Sequence, residues 1–241
     1  MTVTTWWPYA RLAASALAIA AIVTQLSRSL DVARNAETDY GRHMPTVITN
    51  FFSFFTIESN VLAAVVLAIA GIWALRQKSA TTTEPRWLAV LLVCASTYMI
   101  VTGVVYNLLL RGISLPQGAT VPWSNEVLHV VIPVVMLADV LFAPRRRALG
   151  WGTVGIAAIF PIVWAVYTLM RANLVTAPST GNTWWYPYPF LDPRVSGGYG
   201  GVALYVILIA AIIIGAAALV VLVGRRRGIR SPDLAPPLPA M

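Results

Sequence analysis

Thr56 and His129 are the two residues in this sequence best suited to act as a nucleophile and its base. Histidine trades protons near neutrality, and His129 is the one of the chain's two histidines that falls inside an apolar stretch. His43 lies in a polar connection and reads as a surface residue. A proton taken from the Thr56 hydroxyl would let its oxygen attack an acyl carbonyl, and water would then clear the acyl-threonine. The β-branched side chain is restricted at χ1, which helps hold that oxygen in one direction. The same restriction serves a structural role equally well, because a helical threonine commonly bonds the carbonyl four residues back, here that of Phe52. The sequence has no His-Glu-x-x-His zinc signature, no Gly-x-Ser-x-Gly elbow and no phosphate-cradling glycine loop. Glu126-x-x-His129 is half of a di-iron carboxylate motif without its second copy. No metal and no organic cofactor is implied.

The elements that must position this pair are membrane helices. Of 241 residues, 58% are apolar and 11% charged, and the mean hydropathy is +0.73, which excludes an ordinary soluble domain. Six apolar stretches carry the hydrophobicity: residues 9–27, 51–75, 87–110, 123–143, 151–170 and 201–223. Each is long enough to cross a hydrocarbon core of about 30 Å at 1.5 Å per residue. We therefore expect an all-α, polytopic membrane protein, with residues 1–230 a single six-helix bundle. Residues 231–241, with four prolines, should form a disordered tail. The first stretch reads as a retained helix rather than a signal peptide, because Thr24, Gln25 and Leu26 stand where small cleavage-site residues would be needed.

Charge sets the topology. The net charge of +8 comes largely from arginines in the connections. Arg11, Arg76, Lys78, Arg86, Arg145, Arg146, Arg147, Arg225, Arg226, Arg227 and Arg230 fall on one side, against six basic residues on the other. The positive-inside rule then places both termini in the cytoplasm. The basic balance needs no nucleic-acid partner. The arginine-rich, lysine-poor composition suggests a bacterial plasma membrane. The single cysteine, Cys94, lies mid-helix and reads as packing. Residues 28–50 and 171–200 are the long outer connections. The second carries Trp184-Trp185-Tyr186-Pro187-Tyr188-Pro189-Phe190-Leu191, too apolar for a solvated linker, and serves either as a rigid cap on the bundle or as an interfacial aromatic belt.

Polar residues gather at one depth. Thr56 and His129 both fall about 7 to 9 Å below the outer ends of inward-running helices. Thr24, Gln25, Tyr106, Asn107, Tyr167 and Thr168 reach the same level from outward-running ones. Intramembrane polar groups at one level suggest an internal cavity, although helix-to-helix hydrogen bonding alone would account for Ser59, Asn60 and Asn107. Ser53, Thr56 and Asn60 are spaced to share one helix face, and Glu126, His129 and Pro133 another. Asp139, six residues before Arg145, is expected to pair with that arginine run.

Phe55-Thr56-Ile57-Glu58-Ser59-Asn60, Val105-Tyr106-Asn107, Leu128-His129-Val130-Val131-Ile132-Pro133 and the Tyr186-Pro187-Tyr188-Pro189-Phe190-Leu191 loop together resemble the androgen-induced and androgen-dependent integral-membrane protein family, and most closely its bacterial branch. Glu58, where glutamine is usual in that branch, and Val140, where tryptophan follows the aspartate, depart from the pattern. Animal members are threonine hydrolases of fatty acid esters of hydroxy fatty acids, and the resemblance implies the same catalytic pair at Thr56 and His129. The implied reading is an intramembrane lipid-ester hydrolase taking its substrate from the bilayer. Asn60, Asn107 or Asn125 would supply the oxyanion donor and Glu126 would orient the histidine. Glu58, Ser59, Tyr106, Tyr186 and Tyr188 would line the substrate cavity. The rival is a small proton-coupled transporter or lipid carrier using Glu58, Glu126 and His129.

Overall fold

The structure, a computed structural model, describes residues 3–79, 82–112 and 120–227, so the tail read as disordered lies outside the described residues. Six helices are long and apolar enough to cross a membrane: Val3–Arg34, Phe55–Arg76, Arg86–Leu110, Pro122–Phe142, Gly152–Ala172 and Gly198–Arg227, here the first to sixth spans. No strand occurs among the described residues. The expected all-α, six-helix membrane bundle is the observed one. The first and sixth helices overrun their apolar stretches most, because hydropathy marks only the part of a helix that needs hydrocarbon, and a helix can continue into the interface.

The second span departs from expectation. The apolar run from Phe51 is not one helix: a short helix, Met44–Phe52, ends at Ser53, the chain turns through an extended Phe54, and the span begins at Phe55. The fifth span holds this break. Trp164 Nε1 donates to the Ser53 carbonyl at 3.0 Å, and the Tyr167 hydroxyl lies 3.0 Å from Ser53 Oγ. Ser53, Thr56 and Asn60 therefore do not share one continuous face.

Small residues bring the first two spans together. Ala14, Ala18 and Ala21 repeat at helical spacing and are buried, as are Ala63, Ala70 and Gly71 of the second span. A Cβ on Gly71 would come within 3.0 Å of the Pro8 carbonyl, so this contact needs glycine. The third span is buried along most of its length and forms the centre, while the fifth and sixth bury least and lie at the periphery.

The proline in the fifth span has a defined compensation. Pro161 has no N–H to give the Ala157 carbonyl one turn earlier, and the Tyr98 hydroxyl of the third span donates to that oxygen at 2.9 Å. Removing this donor with Tyr98→Phe should cost about 1 kcal/mol. Thermal inactivation followed in detergent should show a modestly lower midpoint for the variant.

At the end of the bundle away from Thr56, four charged side chains are buried together. Asp139 receives Arg11 through both carboxylate oxygens, Nε to Oδ1 at 2.7 Å and Nη2 to Oδ2 at 3.1 Å. Trp7 Nε1 donates to Oδ1 at 2.8 Å and Arg146 Nη2 to Oδ2 at 3.1 Å. Arg11 Nη2 also reaches Glu84 Oε1 at 2.9 Å, and Arg147 Nε holds the Glu84 backbone carbonyl at 2.7 Å. The expected pairing of Asp139 with the arginine run is present through Arg146. The shorter contact, to Arg11, joins the first span to the fourth.

Candidate active site

Thr56 is the second residue of its helix, where a backbone N–H has no partner within the helix. Tyr188, from the aromatic connection, fills that gap: its hydroxyl accepts from the Thr56 N–H at 3.2 Å and lies 3.2 Å from Oγ1. Because the helix starts at Phe55, the threonine hydroxyl turns to Tyr188 and not to the Phe52 carbonyl. The side chain is thus held by tertiary contact. With the Tyr188 oxygen already accepting from the amide, its own proton is free to point at Oγ1, and the threonine proton is free to leave in another direction.

His129 sits in a distorted turn. Residues Val127–Val131 form a π-helical segment inside the fourth span, and Tyr106–Leu110 form another at the end of the third. Such segments are frequent at functional sites, and Pro133, unable to partner the His129 carbonyl as residue 133 would in a regular helix, favours one here. The carbonyls freed by the wider turn are taken by side chains. Asn60 Nδ2 donates to the Leu128 carbonyl at 3.1 Å and Asn107 Nδ2 to the His129 carbonyl at 3.3 Å. Beside the two π segments the third and fourth spans pack closely at Gly103, where a Cβ would lie 2.8 Å from that of Pro133. The His129 ring stacks on Tyr106, centroids 3.8 Å apart. Its Nδ1 lies 2.9 Å from the Asn125 carbonyl. A carbonyl can only accept, so Nδ1 carries the hydrogen and Nε2 the lone pair, the tautomer a base acting through Nε2 requires.

Thr56 and His129 are both buried and line one cavity of about 60 Å³ together with Gln25, Ser29, Thr120 and Asn125. They are not hydrogen-bonded to each other. The cavity is roomy enough for water, and these polar side chains interrupt a wall otherwise made by Phe51, Phe54, Ile57 and Leu128. Thr56 also lines a second cavity of about 120 Å³ on its other side, whose walls are almost wholly apolar and include Tyr106 and Tyr188. Thr56 is shared by the two.

The supporting residues proposed from sequence divide sharply. Both N–H groups of Asn60 are used, on the Thr56 and Leu128 carbonyls, and Asn107 Nδ2 is shared between the Gly103 and His129 carbonyls. Neither is placed as an oxyanion donor. Asn125 does line the cavity, with Nδ2 donating to the Tyr106 hydroxyl. Glu126 does not orient the histidine: Arg111 clamps it with two bonds, Nη1 to Oε1 at 2.9 Å and Nη2 to Oε2 at 3.1 Å, on the exposed rim. The π turn changes the angular phase between residues 126 and 129, so their helical spacing no longer puts them on one face. The histidine's orienting partner is a backbone oxygen instead. Glu58 and Ser59 line neither cavity, and Glu58 Oε2 and Ser59 Oγ have no hydrogen-bond partner. Tyr186 is buried under the connection and lines neither cavity. His43 is exposed and bonds Thr46, as a surface residue would.

The chain matches no protein-family model, no curated protein and no solved structure. The case for the site therefore rests on its own geometry.

The aromatic connection packs as a cap. Trp185, Tyr186, Tyr188 and Leu191 are buried, Phe54 meets Trp185 and Tyr188 edge-on, and Tyr188 stacks flat on Phe190 with centroids 5.2 Å apart. Arg111 and the break at Ser53 escaped the sequence reading. Pro133, four residues after His129, was the available signal for the distorted turn. Among the described residues no group of three or more histidine, cysteine or acidic side chains could hold a metal ion.

Proposed function

We propose that this chain is an intramembrane hydrolase of fatty acyl esters, acting on fatty acid esters of hydroxy fatty acids or related lipid esters. The observation that supports it is the placing of Thr56 and His129 on one cavity, with the threonine oxygen held by Tyr188 and the histidine lone pair on Nε2. Thr56 Oγ attacks the ester carbonyl carbon while its proton passes to Nε2 of His129. The tetrahedral oxyanion collapses, the C–O bond to the alcohol breaks, and Nε2 returns the proton to the leaving oxygen. Water then attacks the acyl-threonine, gives its proton to Nε2, and releases the acid as Thr56 regains its hydrogen. The oxyanion donor best placed is the Tyr188 hydroxyl, whose oxygen the Thr56 N–H holds at the head of a 22-residue helix whose positive end favours developing negative charge. No cofactor enters these steps.

The same reading sets the chain in a bacterial plasma membrane with both termini cytoplasmic, on the arginine excess of one set of connections. The carrier alternative draws little support: Glu126 is occupied by Arg111, Asp139 by Arg11 and Arg146, and Glu58 lines neither cavity.

A fluorophosphonate probe tests the reading, since an activated Oγ displaces fluoride from phosphorus and stays labelled. Purified wild-type protein should label, and Thr56→Ala and His129→Ala should not. A folded wild type that stays unlabelled, or a Thr56→Ala that labels equally, removes the nucleophile. Tyr188→Phe deletes one hydroxyl and should lower kcat about 10²-fold, with the fold unchanged by circular dichroism.

A further inference from the structure

We propose that the larger cavity beside Thr56 is an acyl-chain slot, entered sideways from the hydrocarbon between the fifth and sixth spans. The proposal rests on the hydrolase reading for the position of the carbonyl, at Thr56, and on the cavity itself for everything else. Of its lining, only Thr56, Thr102, Tyr106 and Tyr188 carry hydroxyls, and the Trp164 N–H is turned away to the Ser53 carbonyl. The Thr56 and Tyr188 hydroxyls pair at the end where the cap closes, and the Tyr106 hydroxyl accepts from Asn125. Beyond them the walls are hydrocarbon apart from Thr102.

The slot has length and a door. Along the sixth span its lining runs from Val206 to Ile214, nine residues or about 12 Å of axis. Ile162 and Ile214 belong both to the lining and to the exposed surface of the bundle, at 59% and 49% exposure, so the slot opens between these two spans. Ala158 and Ala210 face it with the smallest side chains available short of glycine. Pro161 is part of the same wall, and the Tyr98 bond that repairs its missing donor ties the fifth span to the central helix without filling the space. An apolar trough ending at a hydroxyl pair fits an acyl ester: the chain takes the trough and the carbonyl meets Thr56. The other cavity, with Gln25, Asn125 and His129, is then left for water and the departing alcohol.

The test separates the slot from the chemistry. A hexadecanoyl ester carrying a mid-chain diazirine is photolysed with the full-length Thr56→Ala protein in lipid nanodiscs, and the labelled residues are mapped by mass spectrometry. Label should concentrate on 158–165 and 206–214 and fall several-fold on adding unlabelled hexadecanoyl ester. In the catalytic background, Ala210→Trp should lower the ratio of kcat/KM for hexadecanoyl over butyryl esters by at least about tenfold. Ala158→Leu should shift it the same way from the opposite wall, and Leu208→Trp, on the lipid-facing side, should leave it unchanged. Label spread evenly over lipid-facing positions such as Leu204 and Leu219, without competition, would overturn the slot, as would a ratio unmoved in both alanine variants. Concentrated, competable label on a wild type that cleaves neither ester would sustain the slot and sink the hydrolase reading alone.

Discussion

Thr56→Ala is expected to lower ester turnover by about four orders of magnitude or more, and His129→Ala by a similar factor. The two losses should not add. If His129 does nothing but move the Thr56 proton, the double variant is no slower than either single one, because each substitution disables the same step. Thr56→Ser is the informative partner. It keeps an oxygen beside Tyr188 and loses only the methyl that restrains χ1, so it should retain turnover while Thr56→Ala does not. Steady-state kinetics on a chromogenic acyl ester reads all four variants against wild type. An additive double variant would separate the two residues into independent roles and leave the proton without its proposed acceptor.

The largest effect on stability belongs to Asp139. Asp139→Ala strands the buried Arg11 and Arg146 guanidinium groups, and breaking a buried pair from one side typically costs about 3 to 5 kcal/mol. Asp139 is fully enclosed, so water cannot step in as the replacement. The variant should survive heating in detergent far less well than wild type, measured as the fraction still monodisperse by size exclusion. Removing the whole cluster is the control: Arg11→Met, Glu84→Gln, Asp139→Leu and Arg146→Met together should recover much of the loss, because Arg11 also pairs with Glu84 and Arg146 with Asp139, and apolar groups of similar volume often replace buried ion pairs at little cost. If the quadruple variant is as unstable as Asp139→Ala, the main term is the Trp7 bond.

Composition and run length were enough to read six helices, because crossing hydrocarbon demands long uninterrupted apolar runs. The candidate pair was legible for a related reason: a histidine in such a run has few bland explanations. What surrounds the pair was not. Glu126 and His129 were assigned one face on the assumption of a regular helix, and the π turn over Val127–Val131 moved them apart. Ser53 was grouped with Thr56 by spacing alone, and the break at Ser53–Phe54 separated them. Asn60 and Asn107, offered either as oxyanion donors or as helix-to-helix hydrogen bonds, take the second role, on carbonyls exposed by that same π turn. Each error has one source, an irregularity in the backbone that depends on partners from other helices. Local spacing carries no record of those partners.

The link between Arg11 and Asp139 also has a schedule. Asp139 follows Arg11 by 128 residues, and Glu84 follows it by 73. At a synthesis rate of roughly 5 to 20 residues per second, the first span waits on the order of ten seconds for its main counter-charge to emerge. Until then its arginine must reach along the helix toward headgroups and water. The fourth span is the event that lets it be drawn inward. A ribosome halted before residue 139 should therefore leave Arg11 open to water-soluble reagents, and one halted after the fourth span should not.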